Sequence, residues 1–337
     1  MTVENVISAN SDPLNDALVI LDVGHGNAAV LLDSGKVVVF DAGPGSILLE
    51  FLREQNISHV DTVLLSHADK DHIGGLSALL ASGTVSIGKV RANTDSLKGS
   101  NAWDDLAFEL SANTTIDFQP ILTENNSNDF DTPQIEIEIA APSTYLASRG
   151  AGSTDREGRS LDTNSLSAVI RLKYQNTAFA LLPGDLDLVG LQNLLNDSRE
   201  ISAGILVFPH HGGRPGTNRV DEFVQSLLTA VQPNVTYFSI GRGKHSTPRT
   251  DIIKAIRQQI PSVHIACSQL SEHCEKNTPI ISDSHLAGII ARGKSTQSCC
   301  AGSAVFNFKK NSFTPSFDAH QEFINLVPET PLCKSDS

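Results

Sequence analysis

The stretch Val63-Leu64-Leu65-Ser66-His67-Ala68-Asp69-Lys70-Asp71-His72-Ile73-Gly74-Gly75 constrains the fold more than any other part of the chain. An apolar run enters it, and Ile73 to Leu80 leave it as the first turns of a helix, so it reads as the loop between a strand and a helix. Such a loop lies at a sheet edge, where His67, Asp69, Asp71 and His72 can converge on one point. Imidazole nitrogen and carboxylate oxygen are the ligands that zinc, manganese and iron prefer. One Asp in such a loop would serve as a helix cap. Two His and two Asp within six positions are more than a cap needs, and they point to a metal site.

Further signals fall in order along the chain. Leu18 to Gly24 is a buried strand that opens onto His25-Gly-Asn27, a Gly-flanked loop that could face the site or be an ordinary turn. Ala28 to Leu32 and Val37 to Phe40 flank Asp33-Ser34-Gly35-Lys36, a hairpin signal, and the second run ends at Asp41. Ile47 to Glu54 reads as a helix. Ser165 to Lys173 and Ala178 to Leu182 flank a Gln175-Asn176 turn, and the second run ends in Pro183-Gly184-Asp185. Gly204 to Phe208 opens onto Pro209-His210-His211-Gly212-Gly213, and adjacent histidines point in different directions, so one of the two is expected to meet a metal. Val220, Phe223, Val224, Leu227, Leu228 and Val231 have helical spacing. Val235 to Ile240 leads to Gly241-Arg242-Gly243-Lys244-His245-Ser246, where Arg242 and Lys244 suit either a phosphate or a solvated turn. Strands and helices thus fall as two successive βα sets.

These motifs together resemble the metallo-β-lactamase-fold hydrolases, whose signature loop is His-x-His-x-Asp-His; here Asp69 stands in the place of the second His. "LDVGHGNAAVLL…VVVFDAGPG", the Ile-Gly-Gly after His72 and "PHHGG" are similar to the branch that contains the hydrolase domain of the DNA-uptake protein ComEC. The resemblance implies an αββα sandwich of two mixed β-sheets flanked by helices, over residues 17–310. It implies two divalent ions, Mn2+ or Zn2+, with His67, Asp69, Asp71, His72, Asp185, His210 and His245 as ligands and Asp185 bridging. Asp41 is implied to sit beneath the metal loop and hold it by hydrogen bonds. Asn164 stands where most of the family place a ligand His, and is expected beside the ions rather than on them. His245 is the last ligand or a proton donor, and Asp71, His211 and His245 are the residues expected to act in catalysis. Carboxylate in place of imidazole at Asp69 makes the site harder and favours manganese over zinc. The activity implied is hydrolysis of a phosphodiester, in nucleic acid or nucleotide, by a water activated between two ions. A small-nucleotide phosphodiesterase, another metallo-hydrolase, or a non-catalytic sensor or scaffold are the alternatives.

Two polar insertions, about 91–133 and 143–162, are expected to form loops over the sheet edge, with Trp103 buried on a helix spanning Ala102 to Ala112. Five cysteines include Cys267, Cys274, Cys299 and Cys300. A hairpin between Val263–Ala266 and Ala304–Phe308 would gather these four for a structural zinc, with His273 as a substitute ligand; two disulfides or separate buried thiols are the other readings. Residues 311–337 read as a loose tail.

Composition narrows the partners. Lys plus Arg number 25 against 38 Asp plus Glu, a net charge of −13, and a sequence-independent duplex binder is normally basic. No apolar run approaches the roughly 20 residues that span a bilayer. The start, Met1 to Asp16, has neither the basic nor the apolar region of a signal peptide. No membrane partner and a cytoplasmic location are therefore expected; the sequence names no protein partner.

Overall fold

The computed structural model describes residues 13–93, 98–329 and 331–334. The first half runs β1 (Ala17–Ile20), β2 (Ala28–Asp33), β3 (Lys36–Ala42), α1 (Ile47–Glu54), β4 (His59–Leu65), α2 (Lys70–Ser82), β5 (Ser86–Ala92), α3 (Asn101–Ala112) and β6 (Asp117–Gln119). The second runs β7 (Ile135–Ala141), α4 (Thr144–Arg149), β8 (Val169–Tyr174), β9 (Thr177–Leu182), α5 (Leu188–Asn196), β10 (Ile205–Val207), α6 (Val220–Val231), β11 (Val235–Phe238), α7 (Thr250–Gln259) and β12 (His264–Cys267). The chain then forms β13 (Ala304–Asn307), β14 (Ser312–Thr314) and α8 (Phe317–Leu326).

These strands build two mixed sheets, ordered β14-β13-β1-β2-β3-β4-β5-β6 and β12-β11-β10-β9-β8-β7. Each sheet begins as antiparallel hairpins and continues as parallel βα units: β3, β4 and β5 run parallel in one, and β9 through β12 in the other. The two-residue turns carry positive φ at both central residues, Ser34 and Gly35 in one and Gln175 and Asn176 in the other. That geometry matches the twist of the strands it joins.

Side chains alternate across each strand, which separates three cores. Leu18, Ile20, Leu31, Val38 and Phe40 meet Ile137, Ile139, Ile170, Leu172 and Tyr237 between the sheets. Val19, Leu21, Val30, Val39 and Val63, on the opposite face of the first sheet, pack against Leu48, Phe51, Leu52, Ile73 and Leu76 of α1 and α2. Leu181, Leu206, Phe238 and Ile265 pack in the same way against Leu191, Phe223, Leu227 and Ile256 of α5, α6 and α7. The result is four layers, helix–sheet–sheet–helix. Parallel strands of both sheets end at one edge, and loops at such carboxyl ends are where α/β proteins place their sites.

The helix expected over Ala102 to Ala112 forms as α3, with Ser100 capping it by accepting from the Trp103 N–H and with Trp103, Leu106 and Leu110 packed into the outer core. The rest of that insertion is not only loop, since β6 extends the sheet beside β5. Two further expectations need correction. Residues 311–337 are not a loose tail as far as they are described. β14 pairs with β13, and Phe323, Ile324, Val327 and Cys333 join the core on the helical side of the second sheet. Residues 335–337 and the opening residues 1–12 lie outside the described residues. Finally, β12 and β13 form no hairpin: β12 ends the second sheet and β13 pairs with β1 in the first. The segment between them crosses from one sheet to the other.

Candidate metal centre

The metal loop is short because β4 stops at Leu65 and α2 starts at Lys70, earlier than the apolar spacing suggests. Asp71 and His72 therefore sit in the first helical turn. Asp69 occupies the N-cap position, yet its side chain makes no capping hydrogen bond. Both of its oxygens instead accept from Lys98 Nζ, one at 2.5 Å.

Asp41, at the end of β3 with φ +55, lies beneath this loop. Its Oδ1 accepts from the Ser66 N–H at 2.7 Å and its Oδ2 from Ser66 Oγ at 2.9 Å. His72 Nδ1 is 2.7 Å from the same Oδ2, so it donates there and leaves Nε2 as the free ring nitrogen. His72 Nε2 in turn lies 3.2 Å from Asp185 Oδ1. His211 is oriented alike: its Nδ1 donates to the Ser239 carbonyl at 2.8 Å, and its Nε2 lies 3.2 Å from Asp71 Oδ2 and 3.5 Å from Asp185 Oδ1.

Asp71, His72, Asp185 and His211 thus each offer one ligand atom, all within 4.8 Å of one another. Three of these atoms, His72 Nε2, Asp185 Oδ1 and His211 Nε2, are buried without a hydrogen-bond partner, as is His67 Nε2 beside them. Burying polar atoms unpaired costs about 1–3 kcal/mol each, so several turned toward one point fit a cation that satisfies them together. Two carboxylates and two imidazoles suit zinc, manganese or iron alike.

Charge follows the geometry. Burial favours the neutral acid of Asp185, but His72 and His211 hold its carboxyl well below the ordinary range. Burial disfavours the His72 cation, yet Asp185 and Asp41 push its pKa well above the usual value. His25 goes the other way: burial and the neighbouring His211 push it down to about 4, so it is neutral at neutral pH.

Backbone strain delivers some of these groups. His210 and His211 are consecutive residues at φ +55 and +54, a region costly for residues with a Cβ and concentrated at functional sites. Because of it both rings turn toward Asp185, although an extended segment would splay them. His211 enters the four-atom set, and His210 Nδ1 stands 3.5 Å from Asp185 Oδ2. Gly184 supplies a second device. Its φ is +55, and a Cβ there would lie 2.4 Å from Ser167 Oγ and 2.5 Å from Ser66 Oγ. Only glycine lets the end of β9 pass beneath the metal loop and bring Asp185 in.

The other expected residues fall as follows. His67 Nε2 is 3.7 Å from Asp69 Oδ2 and 3.9 Å from Asp185 Oδ2, and both His67 and Asp69 stand outside the four-atom set. The Asn164 amide donates to His210 Nε2 at 3.1 Å, beside the centre and not in it. His245 is not among the four atoms. Its place there is taken by His211, and His245 is exposed on the rim with its ring centroid 4.5 Å from that of His25. His25 itself lies 4.4 Å from the His211 ring, between the two histidines. Only its Gly-flanked loop hinted at this. Arg242 does not face the cleft: its guanidinium donates to the carbonyls of Leu270, Glu275 and Lys276 and ties down the cysteine-bearing segment.

The four cysteines do not assemble a zinc site. Cys299 lies in a bridge with Gln269, and adjacent residues of extended backbone face opposite ways. Cys299 Sγ lies 3.9 Å from Asp22 Oδ2, whereas Cys300 Sγ is 3.2 Å from His320 Nε2. Cys274 Sγ accepts from the Leu332 N–H, and all five cysteines are free thiols in buried positions. They serve as small core residues. His273 is bonded elsewhere, its Nε2 3.2 Å from the Ser246 carbonyl.

Above the centre lies an open cleft of about 720 Å³, lined by His25, Asp69, Asp71, Asn164, Asp185, His210, His211 and His245. Lys70, Arg214 and Arg249 line it as well. Among the described residues, no helix is long and apolar enough to cross a membrane.

A four-layer sandwich with a His/Asp centre at the strand ends defines a metallo-hydrolase class. Residues 21–148 match the Metallo-beta-lactamase superfamily, and the chain contains a domain of that superfamily. It is similar to ComE operon protein 3 of Bacillus subtilis (strain 168), 22% identical over 246 residues that cover 69% of this chain and 28% of that protein. It is likewise similar to Competence protein ComA of Neisseria gonorrhoeae, 23% identical over 245 residues, 70% of this chain and 29% of that one. The chain spans less than a third of the length of these curated relatives. Among solved structures, the metallo-beta-lactamase fold protein YhfI from Bacillus subtilis superposes with a TM-score of 0.46 at 11% identity, covering 74% of this chain and 96% of that one.

Proposed function

We propose that this chain is a metal-dependent phosphodiester hydrolase acting on nucleic acid or nucleotides. One observation carries the reading: the converging atoms of Asp71, His72, Asp185 and His211 lie at the floor of a cleft whose lining includes Lys70, Arg214 and Arg249, the last of them paired with Asp251. On a chain of net charge −13, cations gathered at one cleft suit an anionic substrate. A divalent ion in such a site lowers the pKa of a water to about 7 and offsets charge on a phosphoryl oxygen.

The chain's own groups divide the remaining work. Asp71, His72, Asp185 and His211 would hold the ion. Asp41 and the Ser239 carbonyl fix which nitrogen His72 and His211 present. Lys70 and Arg214 orient the phosphate. His245, on the rim and outside the ligand set, is placed to give a proton to the leaving oxygen, and His25 supports its ring. The net charge of −13 favours short or single-stranded substrates over long duplex.

Purified protein supplied with manganese or zinc is to be assayed against single-stranded DNA, duplex, RNA and cyclic nucleotides. The expected result is cleavage of at least one phosphodiester, reduced at least 100-fold in Asp185→Asn together with loss of bound ion. Undiminished turnover in Asp185→Asn, or cleavage of a lactam or thioester and of no phosphodiester, overturns the proposal.

A further inference from the structure

Beside the four-atom set lies a second group of ligand-type side chains, His67, Asp69, Asn164 and His210, which the resemblance assigns largely to another ion. Their geometry differs from that of the first group. In the first group His72 and His211 turn Nε2 inward with Nδ1 held from behind by Asp41 and the Ser239 carbonyl, and Asp71 and Asp185 each turn a carboxylate oxygen inward. In the second group the carboxylate is already engaged. Lys98 Nζ bonds both oxygens of Asp69 across 29 positions of sequence, and the Asp69 side chain is 20% exposed. Bidentate charge-assisted contacts of this kind are the strong ones. The remaining members are poor anchors. His210 Nε2 is occupied by the Asn164 amide, and its Nδ1 faces Asp185 Oδ2, at 3.5 Å, on the side of the first group. Asn164 Oδ1 is buried without a partner, but an amide oxygen is a neutral and weak ligand. His67 Nε2 stands 3.7 Å from Asp69 Oδ2 and 3.9 Å from Asp185 Oδ2, facing a carboxylate whose charge is already matched.

We propose that the Lys98 ammonium stands in for one of the two ions, so that the centre takes a single tightly held divalent ion at Asp71, His72, Asp185 and His211. This rests on the metallo-hydrolase reading of the site and changes its stoichiometry. The ammonium compensates Asp69 and, half exposed at 50%, keeps a positive charge beside the ion site. It cannot share a water as a second ion would. Asp69 is then not a hard ligand, and its presence gives no reason for manganese to be preferred over zinc.

The experiment counts metal without reference to substrate. Wild-type protein, Lys98→Met and Asp185→Asn are each loaded with excess manganese or, separately, zinc, desalted, and measured by elemental analysis and native mass spectrometry. The expected stoichiometry is one ion per chain in the wild type, rising toward two in Lys98→Met as Asp69 is released, and none in Asp185→Asn. Two tightly bound ions in the wild type overturn the proposal while leaving the hydrolase reading intact. One ion in both the wild type and Lys98→Met shows that Lys98 does not exclude the second, and overturns it equally. No ion in the wild type removes both readings together. Circular dichroism of Lys98→Met identifies a misfolded variant; in that event Lys98→Gln, which keeps a polar side chain without the charge, carries the same count.

Discussion

Asp41 leaves β3 in a left-handed conformation and spends both oxygens on the loop above it, the Ser66 N–H, the Ser66 hydroxyl and His72 Nδ1. It touches no substrate space, yet it decides which nitrogen His72 presents. Loss of such a partner typically costs 10–100-fold in metal affinity. Asp41→Asn, which keeps the shape but weakens the acceptor, is expected to bind manganese or zinc that much more weakly in calorimetric titration while retaining wild-type far-UV circular dichroism. Asp41 and Asp185 were named through the family resemblance, which placed them at the ends of two apolar runs. Of the sequence-adjacent cluster His67, Asp69, Asp71 and His72, only Asp71 and His72 enter the four-atom set. Lys98 was not legible in the sequence, since its contact with Asp69 spans 29 positions. The placement of His211, and not His245, in the four-atom set was equally hidden. It depends on two successive positive φ angles at His210 and His211, and no residue type there announces them.

At the scale of elements, regular periodicity was legible and irregular attachment was not. The helix α6 follows its apolar spacing residue for residue, with Val220, Phe223, Val224, Leu227, Leu228 and Val231 all buried. The terminal helix α8 shows a weaker pattern, and only the structure reveals what its buried face meets. Phe323 lies 7% exposed in the outer core, its ring centroid 4.2 Å from that of His285. Removing a buried Phe side chain costs about 3–5 kcal/mol. Phe323→Ala is expected to lower the stability measured by urea unfolding by that amount, with ion stoichiometry unchanged. If the variant unfolds at the wild-type urea concentration, α8 is not part of the cooperative unit. The loop between α4 and β8 has its own anchor in Asp155, which accepts from the Arg159 and Glu157 N–H groups, the Arg159 guanidinium and the Asn193 amide. Burial opposes ionisation, but those donors hold its pKa down to about 2 from an ordinary 3.8. A depressed carboxylate stabilises the folded state above its unfolded pKa, and that contribution fades as pH falls from about 4 toward 2. Asp155→Asn should therefore be less stable than wild type at pH 7, and the gap should narrow across that window in parallel acid titrations. A constant gap would show that the charge contributes nothing.

For the molecule as a whole, the double succession of strand and helix was visible in the apolar pattern, whereas the crossing of 268–303 between sheets was not, because its hydrogen bonds run to distant partners such as Asp22 and Phe238. The architecture would give an ion at this site a mechanical role. Asp71 and His72 come from α2, which follows a strand of the first sheet, while Asp185 and His211 follow strands of the second. An ion held by all four would join the two halves of the sandwich at the seam where their parallel strands end. In its absence two carboxylates and two imidazoles remain gathered there, with three ring or carboxylate atoms lacking partners. Any ligand that binds the folded state alone stabilises it by about 2.7 kcal/mol at 100 times its dissociation constant. Adding manganese or zinc to chelator-treated protein is thus expected to raise the unfolding midpoint in a concentration-dependent way, approaching that gain at 100-fold saturation. Asp185→Asn, which removes charge from the second-sheet side, should lose most of the response, while Lys98→Met should keep it. Equal stabilisation of wild type and Asp185→Asn would mean that the ion binds elsewhere and does not bridge the sheets.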